Sequence, residues 1–303
     1  MPTLHAISVT GLTKDYDGLR ALDHATFEVP TGTICGFVGP NGSGKTTTIR
    51  MLLGLITPSD GKGEILGEDI GNPERYLGSV GALIEGPAFY PALTGAENLR
   101  VLATLGGFPH ERIQGLLDLV GLGDRGDSKY KTFSLGMKQR LGIAAALLPE
   151  PKLLILDEPT NGLDPSGIQE IRDLLEKLAR SGVTIFVSSH LLSEIEMISE
   201  YLVMLQKGKV IFFGETTDLL HRTKPTITAI PVNPSDLDRL YDLAVQAGHP
   251  TRREGSELHI DAEEDWGAEL NKIAFHHGIL LKQITPVRPT LEETFFAMTE
   301  GEA

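Results

Sequence analysis

The chain has a single cysteine and a single tryptophan among its 303 residues. One cysteine cannot form an internal disulfide, so a disulfide-stapled fold is excluded and a reducing compartment is favoured. Cys35 lies in the apolar run TICGFVG, where no adjacent histidine or lysine would activate it. We therefore interpret Cys35 as a buried strand residue and not as a catalytic thiol.

Long apolar runs and clusters of basic residues are also missing. No run of 18 or more apolar residues occurs, so we expect no membrane-spanning segment. The start MPTLHAISVT lacks the basic and apolar regions of a secretory signal, so we expect no such signal. Lysine and arginine number 27 against 41 acidic residues, and without a basic patch nucleic acid is not an expected partner. A role at a membrane would require docking onto another chain.

The stretch GPNGSGKTT, residues 39–47, matches the pattern G-x-x-x-x-G-K-[ST] between an apolar strand and an apolar-periodic helix. Such a loop curls so that its backbone N–H groups and the positive end of the following helix surround phosphate oxygens. Lys45 is expected to reach the β- and γ-phosphates, and Thr46 to ligate Mg²⁺. The predicted nucleotide-binding residues are Gly39, Pro40, Asn41, Gly42, Ser43, Gly44, Lys45, Thr46 and Thr47. The pattern predicts binding of ATP or GTP.

Two further apolar strands end in polar side chains. In PKLLILDEPTNGLDP, Asp157 follows the apolar run and is placed to hold Mg²⁺. Glu158 is the next residue, points elsewhere and can polarise the attacking water. The run TIFVSSH ends in His190, which is predicted to contact the γ-phosphate. We therefore take Lys45, Glu158 and His190 as the candidate catalytic residues.

The segment FSLGMKQRLGIAAALL provides a second candidate anion site. Ser134 precedes a long apolar helix and is a natural N-cap, and Gly136 permits close approach of a backbone. The helix therefore presents a hydroxyl and free N–H groups to an anion. Because the chain already has one phosphate loop, this helix tip makes sense if it closes over a nucleotide held by another copy.

Together these motifs resemble the nucleotide-binding subunit of an ABC transporter over about the first 220 residues. FSLGM stands where that family carries its signature, often LSGGQ; Leu135 and Met137 depart from the commonest form. The resemblance implies that Tyr16 stacks on adenine and that Asp164, in NGLD, belongs to the loop linking two sites across a dimer. It further implies ATP and Mg²⁺ as cofactors, an ATP-sandwich homodimer, and integral membrane permease subunits as partners at the cytoplasmic face of the membrane.

Glu85, in GALIEGPAFYPALTGAENL, stands where that family usually has a glutamine that touches Mg²⁺ and the attacking water. Glutamate at this place resembles the ATPases of bacitracin-type and lantibiotic self-protection exporters, as do GPAFYP, SLGMKQRL and PTLEETFFAMT. The resemblance implies that Glu85 contacts the metal. Besides a mechanistic role for the charge of Glu85, two alternatives remain open. Glu85 is either a tolerated substitute for glutamine that marks ancestry or a surface charge unrelated to the site.

The order of elements predicts an α/β fold, a P-loop NTPase with a parallel central sheet and a small antiparallel β-subdomain. We expect the nucleotide-binding domain at 1–221, with a helical subdomain at about 86–150. Residues 222–303 have the order β-α-β-β-α-β of a small ferredoxin-like α+β domain, followed by a helix in TLEETFFAMTE. His276 and His277 are not expected to form a metal pair, because adjacent side chains diverge on a helix.

The function expected from these features is that of an ATP-hydrolysing subunit of a bacterial ABC exporter, moving an antibiotic or lantibiotic-type peptide for self-protection. A soluble ABC ATPase acting on the ribosome or on DNA is the alternative. ABC ATPases that act on the ribosome usually carry two cassettes in one chain, and those of DNA repair carry a long coiled coil. Neither feature occurs in this sequence. A small-molecule P-loop kinase is disfavoured by the signature helix.

Overall fold

The structure is a computed structural model that describes residues 5–84, 86, 88–221 and 225–300. Residues 299 and 300 are described by their backbone alone. The chain divides into two compact units, Met1–Thr216 and Thr217–Ala303. The expected boundary at residue 222 lies close to this division. Each unit has its own β-sheets.

The first unit contains two sheets. Its strands are β1 (His5–Tyr16), β2 (Leu19–Pro30), β3 (Ile34–Val38), β4 (Asp60–Ile65), β5 (Glu68–Asp69), β6 (Val80–Leu83), β7 (Leu153–Asp157), β8 (Thr184–Ser189), β9 (Tyr201–Gln206) and β10 (Lys209–Glu215). Its helices are α1 (Lys45–Leu52), α2 (Gly95–Gly106), α3 (Arg112–Leu119), α4 (Leu135–Ala146), α5 (Pro165–Arg180) and α6 (Leu192–Glu196), and α7 (Thr216–Leu220) begins at the division.

The six-stranded central sheet has the order β10-β9-β3-β8-β7-β6. All neighbours from β9 to β6 are parallel, and only β10 runs antiparallel to its neighbour. Every residue of β3, β7 and β8 is buried, as expected for strands in the interior of a parallel sheet. The parallel central sheet predicted from the sequence is therefore confirmed.

The second sheet of this unit is antiparallel, with the order β2-β1-β4-β5, which confirms the predicted β-subdomain. Phe27 of β2 joins it to the central sheet, because its ring lies 5.9 Å from that of Phe37 and 6.3 Å from that of Phe186. Cys35 is fully buried in β3, and this burial raises the pKa of its thiol. The interpretation of Cys35 as a structural residue is confirmed.

The second unit contains β11 (Thr226–Pro231), α8 (Leu237–Gln246), β12 (Thr251–Glu254), β13 (Glu257–Asp261), α9 (Trp266–His276), β14 (Leu281–Val287) and α10 (Leu291–Glu300). The strands form an antiparallel sheet with the order β12-β13-β11-β14. Leu258 and Ile260 of the sheet share a buried core with Leu240 of α8 and Leu270 of α9. This is the β-α-β-β-α-β arrangement of a ferredoxin-like fold. In the described ranges of both units, none of the helices combines the length and the apolar composition that crossing a bilayer requires.

Candidate active site

The loop between β3 and α1 is shaped by two glycines, Gly39 and Gly44, at which a Cβ atom would collide with neighbouring backbone. A Cβ on Gly39 would lie 2.2 Å from the carbonyl oxygen of Leu205, and one on Gly44 would lie 2.5 Å from that of Ala21. Gly44 also has a φ of +109° and immediately precedes the first residue of α1. The loop therefore curls tightly against its neighbours and delivers the N-terminus of α1 to the carboxyl edge of the central sheet.

This loop fits a phosphate group. The Nζ atom of Lys45 donates to the carbonyl oxygens of Gly39 at 2.7 Å and Pro40 at 3.4 Å, and the side chain is only 6% exposed. The hydroxyl of Ser43 is buried and has no hydrogen-bond partner among the described residues. A buried polar atom normally has a partner, and an oxygen of a phosphate would supply one. The lysine and the helix N-terminus provide the positive charge.

Asp157 ends β7 and is held from two directions. The hydroxyl of Thr46 donates to its Oδ2 atom at 2.8 Å, and the hydroxyl of Ser188 donates to its Oδ1 atom at 2.5 Å. A threonine hydroxyl and a carboxylate are hard oxygen donors of the kind that Mg²⁺ prefers. The described residues contain no group of three or more His, Cys, Asp or Glu side chains arranged to hold a metal. Mg²⁺ typically keeps several waters and substrate phosphates as ligands, so this donor pair suits it.

Glu158 turns away from Asp157 because its backbone is left-handed, with a φ of +52°. Its N–H donates to the hydroxyl of Ser188 at 2.9 Å, so one serine fixes both acidic residues. The Glu158 carboxylate contacts the Nδ1 atom of His190 at 2.5 Å and the Nζ atom of Lys45 at 3.4 Å. The three candidate catalytic side chains therefore meet at one place. A carboxylate in this position can accept a proton from water.

These side chains face a cleft of about 690 Å³, a size that suits a nucleotide. Its lining includes Tyr16, Asn41, Lys45, Thr46, Glu158 and His190. Tyr16 lies at the end of β1 with 42% of its surface exposed, and the Nζ atom of Lys14 is 5.0 Å from its ring centroid. Tyr16 is thus available at the rim of the cleft for stacking.

Ser134, Gly136 and Asp164 lie elsewhere in the unit, outside the described lining of this cleft. The Ser134 hydroxyl caps α4 by accepting from the Met137 N–H at 3.3 Å, as expected for an N-cap. The Asp164 carboxylate caps α5 in the same way. The two helix tips are neighbours, because a Cβ on Gly162 would lie 3.1 Å from the side chain of Leu135.

Several residues of the site were not identified from the sequence. Ser188 has a recognisable position, two residues before His190 at a strand end, yet its bonds to the residues after β7 depend on strand order. Arg20 and Lys207 also line the cleft. The Arg20 guanidinium bonds Asp15 and Asp23, and the bond to Asp15 is the main reason that its pKa is raised. Glu85 lies outside the described residues, so its predicted contact with the metal remains a prediction.

Known proteins resemble this chain along nearly all of its length. The family described as "ABC transporter" matches residues 22–161. The bacitracin transport ATP-binding protein BcrA of Bacillus licheniformis is 40% identical over 302 residues, covering 97% of each chain. The lantibiotic transport ATP-binding protein SrtF of Streptococcus pyogenes is 42% identical over 209 residues, covering 69% of this chain and 90% of its own.

The fold is likewise similar to that of a solved structure. An ATP-binding subunit of an ABC transporter superposes with a TM-score of 0.64 at 33% sequence identity, covering 72% of this chain and 92% of that one.

Proposed function

This chain belongs to the ABC transporter family of ATP-binding proteins, and we propose that it drives export of a bacitracin-like or lantibiotic-like peptide through separate membrane subunits. The family predicted from the sequence motifs is confirmed. As a member, the chain is an ATP-binding and ATP-hydrolysing subunit of an ABC transporter.

The observation that carries the substrate proposal is the full-length similarity to BcrA. It covers 97% of both chains, so it includes the small unit after residue 216 as well as the ATPase unit. Similarity over the ATPase unit alone would carry less information about the substrate, because that unit performs the ATP hydrolysis that the whole family shares. BcrA and SrtF are both named for transport, which supports transport over action on the ribosome or on DNA.

In this proposal Lys45 and the loop of residues 39–44 hold the phosphates of ATP. Thr46 and Asp157 would hold Mg²⁺, together with Glu85 as the sequence predicts. The bound metal would neutralise charge that develops on the phosphate oxygens. The support is the 2.8 Å contact between Thr46 and Asp157 at the N-terminus of α1.

Glu158 accepts a proton from the attacking water, and His190 orients Glu158 through the 2.5 Å contact between them. Lys45, 3.4 Å from the same carboxylate, places a positive charge beside the reacting phosphate. The left-handed backbone of Glu158 supports this division of roles, since it directs Glu158 away from the position held by Asp157.

A second copy of the chain completes each site in this proposal. Ser134, Gly136 and Asp164 lie at helix tips outside the described lining of their own cleft, where they can reach the nucleotide of a partner copy. Two chains would then enclose two ATP molecules. Separation of the copies after hydrolysis would move the permease subunits, with the chain docked at the cytoplasmic face of the membrane.

Resistance of cells tests the proposed function. A sensitive bacterial strain would express the chain with its membrane subunits, and growth would be measured with bacitracin, a lantibiotic and an unrelated small-molecule drug. We expect resistance to one of the two peptides that is lost with Lys45→Ala. Resistance to neither peptide, or co-purification with ribosomes in place of a polytopic membrane protein, would contradict the proposal.

Glu85 offers a separate test of coupling between the site and the membrane subunits. If its carboxylate is mechanistic, Glu85→Ala lowers resistance more than it lowers ATP affinity, because Lys45 and the loop backbone supply most phosphate contacts. Glu85→Gln should give an intermediate result, since the amide keeps one oxygen ligand. Unchanged resistance of Glu85→Ala cells would leave Glu85 as a mark of ancestry only.

A further inference from the structure

The hairpin turn between β9 and β10 connects the phosphate-binding loop to the rim of the cleft. The N–H of Gly208 donates to the carbonyl oxygen of Ser43 at 3.0 Å, and the carbonyl oxygen of Gly208 accepts from the N–H of Asp23 at 2.8 Å. The turn is therefore fixed to the loop that holds phosphates and to β2, which follows the rim residue Tyr16. Its two central residues, Lys207 and Gly208, both line the cleft.

Lys207 occupies an unfavourable backbone conformation. Its φ is +47° and that of Gly208 is +80°, so both central residues of this two-residue turn are left-handed. Asparagine followed by glycine is the usual solution for such a turn, because a long side chain has no intrinsic preference for a positive φ. The turn therefore tolerates lysine, and asparagine is the substitution that its backbone favours.

The ammonium group of Lys207 differs from the other cations of the cleft. Lys45 contacts the Glu158 carboxylate, and the Arg20 guanidinium is bonded by two aspartates. Among the lysine and arginine residues of the described lining, Lys207 is the one whose side chain has neither a hydrogen bond nor an ion pair within the described part of the chain. Its charge is therefore available to an anionic ligand in the cleft.

We infer that Lys207 binds the nucleotide through the phosphates that ADP and ATP share. This inference rests on the ATP-binding function of the chain. The candidate general base, Glu158, follows β7, and His190, the residue predicted to contact the γ-phosphate, follows β8. The hairpin turn instead lies beside Ala21, because a Cβ on Gly208 would lie 3.1 Å from the carbonyl oxygen of Ala21. The charge of Lys207 thus enters the cleft from the side of the rim that carries Tyr16.

Lys207→Asn in the full-length chain tests this assignment, because asparagine suits the left-handed turn while the long side chain and its ammonium group are removed. Calorimetric titration at low ionic strength should show affinities for both ATP and ADP reduced about 3-fold to 10-fold, between the effect of an exposed ion pair and that of a charge-assisted hydrogen bond. The thermal midpoint of the variant should not fall. Lys207→Arg, which keeps the charge, should restore most of the affinity.

Lys209→Asn is the matched control, since Lys209 follows in the same hairpin but is paired with Asp23 and lies outside the described lining. It should bind both nucleotides as wild type does. Equal affinities for wild type and Lys207→Asn would overturn the inference, and so would a loss for ATP alone. Lys45→Ala distinguishes a failure of the inference about Lys207 from a failure of the phosphate site. If it loses binding while Lys207→Asn does not, only the inference about Lys207 fails, whereas unchanged binding by Lys45→Ala would contradict the phosphate site itself.

Discussion

At the scale of single residues, one hydroxyl group organises the two acids of the site. The Ser188 side chain donates to Asp157 and accepts from the N–H of Glu158, so both residues after the apolar part of β7 are fixed by β8. The two carboxylates contact different groups: Asp157 contacts Thr46, and Glu158 contacts His190 and Lys45. Two adjacent carboxylates thereby acquire separate environments, one suited to a metal and one to water.

Glu158→Gln should bind ATP but hydrolyse it about 100-fold to 10,000-fold more slowly, the usual contribution of a positioned general base. The reason is that an amide cannot take the proton of the attacking water, whereas the phosphate loop and the Thr46–Asp157 pair are unchanged. Steady-state phosphate release and ATP affinity of the purified chain are the measurements. Glu74→Gln, at an exposed position outside the described lining of the cleft, serves as the control. Hydrolysis by Glu158→Gln at the wild-type rate would assign the proton transfer to another group.

At the scale of elements, the helices α2, α4 and α5 each begin at a short polar side chain that accepts a hydrogen bond from an N–H group of the first turn. The start of α2 is a capping box: the Thr94 hydroxyl accepts from the Glu97 N–H at 3.1 Å, and the Glu97 carboxylate accepts from the Thr94 N–H at 2.7 Å. The bond from the Thr94 N–H, and secondly its hydroxyl, lower the pKa of the Glu97 carboxyl group. The negative charge also lies at the positive end of the helix.

Thr94→Ala should lower the free energy of unfolding of α2 by about 1 kcal/mol, because one N–H loses its acceptor. Hydrogen exchange of the amides in the first turn of α2 measures this loss directly. Thr57→Ala, which changes an exposed threonine outside the helix, should leave the exchange unchanged. Unaltered exchange in Thr94→Ala would show that tertiary packing alone holds this helix end.

The capping box also predicts a pH dependence. Since the pKa of Glu97 is lower in the folded chain than in the unfolded chain, its contribution is fully present above the unfolded value of about 4.3 and is lost as the pH falls through the folded value. The stability difference between wild type and Glu97→Gln should therefore shrink on acidification. Thermal midpoints of both proteins at neutral and acidic pH measure it, and a difference that grows in acid would contradict the prediction.

At the scale of the whole molecule, each chain carries the cleft described above and a pair of helix tips that lie outside the described lining of that cleft. Ser134 caps α4 and Asp164 caps α5, and the two tips lie next to each other within the first unit. A chain with this arrangement can donate its tips to a partner while its own cleft receives the tips of that partner. The predicted assembly is a symmetric dimer with two composite sites.

ATP should convert Glu158→Gln from monomer to dimer, because the composite site closes before cleavage and the variant hardly proceeds beyond it. Light scattering after size-exclusion chromatography with and without saturating ATP is the measurement. Adding Ser134→Arg should prevent the dimer while leaving ATP affinity of the monomer unchanged, because Ser134 lies outside the described lining of the cleft. If Ser134→Arg lowers ATP affinity in the monomer, Ser134 serves the nucleotide of its own chain.

The local features of this protein were determined by the sequence itself. The loop of residues 39–47, the apolar strands β3, β7 and β8, and the capping role of Ser134 depend on steric limits of the backbone and on side chains a few residues apart. The order β-α-β-β-α-β of the second unit was likewise predictable, because periodicity and turn residues are local signals. These features sufficed to identify the phosphate loop and its family.

Only the tertiary structure decided which of these local pieces meet. Glu158 and His190 are 32 residues apart, Asp157 and Ser188 are 31 apart, and both contacts exist because β7 and β8 are parallel neighbours. Likewise, the β9–β10 turn reaches the loop at Ser43 because β9 lies beside β3. Strand order arises from packing the whole apolar core at once, so no short stretch of sequence encodes it, and Ser188 and Lys207 join the site only through that packing.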